Sequence, residues 1–138
     1  MDECKAGERL GKYLKSRNTT FDLGESAILS SIEIELFQYF QGQLKIFTTP
    51  LICVGSLFQK RVWENLLEIP YGQTRSYAEV ARKLDKPTAY RAVAQANAAN
   101  AIAIVIPCHR VINTGGAYGG YASGMEKKIW LLRHEGYI

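Results

Sequence analysis

Cys108, His109 and Arg110 follow directly on the apolar run from Ala101 to Ile106, so Ile106-Pro107-Cys108-His109-Arg110 delivers a thiol and an imidazole to the rim of a core. A thiol is a useful nucleophile only as thiolate, and a free cysteine keeps its proton up to about pH 8.5. A neighbouring base or cation lowers that barrier, and His109 and Arg110 supply one of each. The same residues allow a plainer reading, in which Cys108 is a small buried hydrophobe and His109 faces elsewhere. Glu135 stands at the end of an apolar helical stretch. It is either a solvated charge or the carboxylate that a Cys-His pair recruits to orient its imidazole.

The chain has 138 residues, 47% of them hydrophobic and 22% charged, which fits one domain or one domain with a small appendage, able to bury a core without disulfides or metal. Three cysteines (Cys4, Cys53, Cys108) without CxxC spacing point to a reducing intracellular setting, cytoplasmic or, in a eukaryote, nuclear. Only His109 and His134 could join them as ligands, so no metal or other cofactor is expected. Met1-Asp2-Glu3-Cys4-Lys5 lacks an apolar leader and no run is long enough to span a bilayer, so no membrane association is expected. The net charge of +4 is concentrated between residues 56 and 110, where eight Lys/Arg stand against four Asp/Glu. That bias is either a solvated face or a surface for a polyanion such as nucleic acid.

The elements that must position these groups follow from periodicity and capping residues. Ser26 can cap a helix to Gln41 with an apolar stripe of Ile28, Leu29, Ile32, Leu36, Phe37 and Phe40, stopped by Gly42. Lys45–Thr49 and Leu51–Val54 read as short strands broken by Pro50, and Gly55-Ser56 marks a boundary. Ser56 caps a second helix whose Leu57, Val62, Trp63, Leu66 and Leu67 face a core. Pro70-Tyr71-Gly72 ends that segment. Ser76 starts a third helix through Ala78, Val80, Ala81 and Leu84. Asp85-Lys86-Pro87 turns the chain, and Thr88 caps a fourth helix to about Ala99. The last two form a helix-turn-helix candidate. The fourth helix is rich in alanine, with Arg91 its only charged side chain, so one face can pack tightly while the other enters a groove. A glycine-rich loop from Asn113 to Gly124 can bring backbone amides close to a ligand, and a helix from Met125 leads to His134-Glu135-Gly136.

Taken together, Pro70-Tyr71-Gly72, Ser76-Tyr77, Arg91-Ala92-Val93, Asn100, Ile106-Pro107-Cys108-His109-Arg110-Val111, Gly119-Gly120-Tyr121 and Trp130-Leu131-Leu132-Arg133-His134-Glu135-Gly136 resemble the O6-alkylguanine-DNA alkyltransferases, the methylated-DNA–protein cysteine methyltransferases. The match spans about residues 56–138, in order and spacing. The resemblance implies an α+β fold. A small N-terminal α/β part (residues 1–55, a reduced ribonuclease-H-like sheet) would precede a mainly helical winged helix-turn-helix domain (residues 56–138) that carries the reactive cysteine. The N-terminal part is shorter than is usual for the family, and it lacks the histidines with which some members bind zinc. Cys4 is then expected to be a surface thiol and Cys53 a packed one.

The resemblance also implies roles. Cys108 would accept the alkyl group from O6 of guanine, and possible substrates extend to O4-alkylthymine. His109 would act through a water as the base, Glu135 would orient it, and Asn100 would brace the turn that carries Cys108. Double-stranded DNA bearing the lesion would be contacted through Tyr77, Ala89, Arg91 and Thr114, with Arg91 filling the space left by a flipped nucleotide. Tyr77, Val111, Tyr121, Ala122 and Ser123 would hold the base. The thioether formed is inert, so each protein molecule, expected to be a monomer, would act once. Three other readings are distinguishable. A non-catalytic sensor of alkylated DNA usually replaces the acceptor cysteine, which Cys108 argues against. A helix-turn-helix regulator would bind specific sequences as a symmetric dimer. A cysteine hydrolase using Cys108, His109 and Glu135 would turn over many substrates.

Overall fold

The computed structural model describes residues 26–138, which fall into two compact units divided between Val54 and Gly55. Expectations for residues 1–25, including Cys4 as a surface thiol, lie outside the described residues.

In the first unit, α1 (Ala27–Phe40) begins where the Ser26 hydroxyl accepts from the Leu29 amide, and it ends at Gln41 before Gly42. The expected apolar stripe is covered only in part, at the half-buried Ile32 and Leu36. Ile28, Leu29 and Phe40 are exposed and Phe37 is 65% exposed, whereas Glu35 and Tyr39, one turn apart, are buried. The returning chain decides this. Glu35 Oε1 accepts from the amide and hydroxyl of Thr48 at 2.8 and 2.7 Å, and Oε2 from those of Thr49 at 3.1 and 2.7 Å. Tyr39 packs on Phe47 with ring centroids 5.6 Å apart. The same bonds explain why the strands expected at Lys45–Thr49 and Leu51–Val54 do not form. Both threonine amides go to a helix carboxylate, and Pro50 has no amide to give to a ladder. Cys53 is half-buried.

The second unit starts with α2 (Leu57–Leu67), closed at its N-terminus by a capping box in which Ser56 and Gln59 exchange bonds at 2.9 and 3.1 Å. Val62, Trp63 and Leu66 enter the core. Leu57, which starts the helix, is 78% exposed and Leu67 is exposed too, so the buried stripe is narrower than its apolar residues suggest. β1 (Arg75–Ser76) leads into α3 (Tyr77–Lys83), whose capping box pairs Ser76 with Glu79. Asp85, at φ +57°, turns the chain into α4 (Tyr90–Ala98). Its N-cap is Ala89 rather than Thr88, and no side chain caps it. A turn through Pro87–Ala89, closed by the Ala89 amide on the Lys86 carbonyl at 2.9 Å, occupies the position expected of the cap. The helix α4 packs on α2 and α3, and Trp63 Nε1 donates to the Ala96 carbonyl at 2.9 Å. A 3-10 turn (Cys108–Arg110) feeds β2 (Val111–Ile112), which runs parallel to β1 with Arg75 opposite Val111 and Ser76 opposite Ile112. α5 (Met125–His134) ends the unit, with Leu131 and Leu132 in the core. Among the described residues, helices with one small two-stranded sheet are consistent with an α+β fold. Among the described residues no helix is long and apolar enough to cross a membrane.

Candidate active site

The thiol is carried by a tight turn held from both sides. The Cys108 amide donates to the Ile106 carbonyl at 2.8 Å and the Arg110 amide to the Pro107 carbonyl at 3.0 Å. Asn100 stands just beyond α4. Its Nδ2 donates to the Ile106 carbonyl at 2.9 Å, and its Oδ1 accepts from the Ile102 amide at 3.0 Å. Within α4, Asn97 Nδ2 donates to the carbonyl of Cys108 at 3.2 Å. The helix that precedes the turn therefore fixes the carbonyls on both sides of Pro107-Cys108.

Behind the thiol lies a buried ionic cluster. His109 is fully buried, and its Nε2 lies 2.7 Å from Glu135 Oε1. Arg110 clamps the same carboxylate in a fork, Nε to Oε2 at 2.8 Å and Nη2 to Oε1 at 2.9 Å, while Nη1 reaches the Ile69 carbonyl at 2.7 Å. The Arg110 guanidinium also stands 5.7 Å from the centre of the Tyr71 ring. Gly72 approaches from the other side, its amide 3.3 Å from Glu135 Oε2. Gly72 has φ +75°, and an added Cβ would meet the Glu135 carbonyl oxygen at 2.9 Å, so this position requires glycine.

These contacts set the protonation states. Burial alone would raise the Glu135 pKa, but the hydrogen bonds from His109 and Arg110 outweigh it and hold the carboxyl well below the usual range. Burial pushes the His109 pKa down against the pull of Glu135, so the imidazole is neutral near pH 7. Because Glu135 is a carboxylate, it accepts the Nε2 proton, and Nδ1 is left with a free lone pair. Burial also raises the Cys108 pKa, more than bonds from Asn100 and Tyr121 lower it, so the thiol keeps its proton until a base removes it. The site thus contains a protonated thiol and, on the next residue, a neutral imidazole that a carboxylate holds in one tautomer.

Comparison with known proteins bears on the whole second unit. Residues 57–137 match the family model for the 6-O-methylguanine DNA methyltransferase DNA-binding domain. The chain belongs to this methyltransferase family. A methylated-DNA–protein-cysteine methyltransferase of Methanosarcina mazei is 52% identical over 101 residues, which is 73% of this chain and 64% of that protein. The chain therefore spans under two thirds of that relative's length. The Mycobacterium tuberculosis OGT solved in complex with DNA is 48% identical with a TM-score of 0.76, covering 78% of this chain and 65% of the other. The O6-methylguanine-DNA methyltransferase of Pyrococcus kodakaraensis is 30% identical with a TM-score of 0.75, covering 96% and 78%.

In this methyltransferase-family domain, the sequence-expected residues divide into three groups. Cys108, His109, Asn100 and Glu135 are brought together and buried. Tyr77 and Tyr121 are half-buried; burial raises the pKa of both phenols, and proximity to Cys108 adds to the shift in each. Val111 is buried in β2, Ser123 is half-buried and Ala122 exposed. Arg91 and Thr114 are exposed and Ala89 is half-buried, apart from the buried cluster. Sequence reading missed Lys128. It is fully buried in α5, with Nζ donating to the Val111 carbonyl at 2.5 Å and the Gly120 carbonyl at 3.4 Å, and 6.0 Å from the Tyr77 ring centre. Burial lowers its pKa to about 8, so it remains largely cationic at neutral pH beside Cys108. The signal was available: Lys128 precedes the core residues Leu131 and Leu132 by three and four positions, on the inward stripe of a helix. Arg110 was read only as a cationic neighbour, and its carboxylate fork depends on a residue 25 positions away.

Proposed function

We propose that this protein repairs alkylated DNA by moving the alkyl group from O6 of guanine in a duplex onto Sγ of Cys108. The observation that carries the reading is the buried His109–Glu135 pair, at 2.7 Å, adjoining a protonated Cys108 in a chain of this family. His109 takes the thiol proton, Sγ attacks the alkyl carbon, and the carbon–O6 bond breaks with its electrons returning to the purine. The base then needs one proton to become guanine, and the thiol has released one. The Lys128 ammonium favours the thiolate as it forms. No step regenerates the cysteine, so the reaction stops at one transfer per molecule, without a cofactor.

In the same reading α3, the turn and α4 act as a winged helix-turn-helix. The exposed side of α4, with Arg91, Ala92, Gln95 and Ala98, faces the duplex. Arg91 occupies the place of the flipped nucleotide, and Ala89 and Thr114 lie along the backbone. Tyr77, Val111, Tyr121, Ala122 and Ser123 enclose the extruded base, with O4-alkylthymine as a second substrate. The first unit corresponds to a reduced ribonuclease-H-like part. The protein works as a monomer in the reducing cytoplasm, where Cys108 stays a thiol.

Intact-mass measurement after incubation with a duplex carrying one O6-methylguanine, followed by peptide mapping, tests the proposal. The expected result is one methyl per protein, on Cys108, abolished in Cys108→Ala while lesion binding persists. Tight lesion binding with no mass gain would make the protein a damage sensor instead.

A further inference from the structure

Among the described residues, two buried side-chain polar atoms have no hydrogen-bond partner: Asn97 Oδ1 and His109 Nδ1. Both side chains are tied to one peptide group. Asn97 Nδ2 donates to the Cys108 carbonyl, and that carbonyl carbon is bonded to the backbone nitrogen of His109. The bond also fixes the amide's orientation, since only Nδ2 can donate to a carbonyl. Both orphans are therefore acceptors. Oδ1 is an amide oxygen, and Nδ1 is bare because Nε2 carries the proton given to Glu135. Two acceptors cannot satisfy each other, and buried acceptors are rarely left unpaired. A water molecule offers two donors and is the usual bridge between such groups.

We propose that Asn97 is a positioning residue for proton transfer from Cys108, its Oδ1 and His109 Nδ1 together holding one water by its two hydrogens. With both hydrogens engaged, the water presents only lone pairs to the thiol. The Cys108 proton passes to the water oxygen as the water's own proton passes to Nδ1. The water is regenerated, a thiolate is left on Sγ, and the imidazolium is stabilised by Glu135. Asn97 thus acts through the water and the Cys108 carbonyl, without touching the substrate. The inference rests on His109 as the base, and the identity of the alkyl donor does not enter it.

The test is the pH dependence of Cys108 alkylation by iodoacetamide, which forms a thioether and releases iodide, in the full chain carrying Cys4→Ser and Cys53→Ser. Glu135, Arg110 and Lys128 act on His109, and Tyr77, Tyr121 and Lys128 lie about Cys108; all are unchanged by substitution at Asn97. Asn97→Leu is expected to slow labelling at neutral pH by about tenfold, a part of what a general base contributes. It should also remove the inflection due to His109, leaving only that of the thiol. Asn97→Ser, which keeps a small polar group, should recover most of the rate and the inflection. If Asn97→Leu does not fold, Asn97→Ala serves for the same comparison. A wild-type profile in Asn97→Leu or Asn97→Ala, or an equal loss at every pH, overturns the proposal. Because iodoacetamide needs no DNA, an Asn97 effect in a protein that fails the methyl-transfer assay would sink the repair reading alone.

Discussion

At Glu135 one carboxylate serves three donor groups: the His109 ring, the Arg110 fork and the Gly72 amide. The electrostatic cost of burying Arg110 is met by this partner, so Glu135→Gln leaves a guanidinium uncompensated. A loss on the order of 3–5 kcal/mol is expected from chemical denaturation, the range for breaking one side of a buried pair. The pH dependence has a definite sign. The Glu135 pKa is held low, so its contribution is complete above the unfolded carboxyl value of about 4.3 and is lost as pH falls through the folded value. His109 is also held below its ordinary value, so the unfolded chain binds its proton first and stability declines as pH drops below about 6.5. Melting temperature should therefore fall from neutral pH toward pH 5, and the His109 part of that slope should persist in Glu135→Gln. A flat profile in wild type would contradict these assignments. Arg91, exposed on α4, makes a contrasting case. Arg91→Ala should slow transfer from duplex DNA by an order of magnitude or more and leave reaction with free O6-benzylguanine nearly unchanged. Equal losses with both would place Arg91 in the fold or the chemistry instead.

Among the elements, α4 has two distinct faces. Val93, Ala96 and Asn97 are buried against the unit, whereas Arg91, Ala92, Gln95 and Ala98 are open. The tight-packing reading of its alanines holds on the Ala96 side, and the open side is the one that the proposed function turns toward the duplex. Helix α1 shows the converse, because its apolar residues are largely exposed and a carboxylate is its inward anchor. Four hydrogen bonds overcome the burial that would raise the Glu35 pKa and hold it at about 2. Their contribution is present above about pH 4.3 and is lost as the pH approaches the folded value. Glu35→Ala should accelerate amide hydrogen exchange at Thr48 and Thr49 by tenfold or more, since each loses a charge-assisted partner. Unchanged protection would show that other contacts hold the segment. Helix starts at Ser26, Ser56 and Ser76 were legible because a cap and its N3 partner are neighbours in sequence. The absent strands at 45–54 were not, because where an amide donates depends on what folds back against it.

For the molecule as a whole, the basic excess between residues 56 and 110 falls in the unit that matches the family's DNA-binding domain. Binding to duplex DNA should weaken steeply with salt, the logarithm of affinity falling with a slope near 0.9 per phosphate contacted. Labelling of Cys108 by a small neutral substrate should not follow that slope. Affinity measured at several salt concentrations, against the free-base rate in the same buffers, separates the two. The sequence by itself determined the Cys-His-Arg triplet, the helix starts at Ser26, Ser56 and Ser76 and the family motif, because each is written in residues close along the chain. Tertiary structure decided which face of α1 is buried, that Arg110 grips Glu135, that Lys128 is interior and that Asn97 reaches the Cys108 carbonyl. Each of these joins groups 11 to 25 positions apart or depends on what excludes water, and neither separation nor burial is encoded in local spacing.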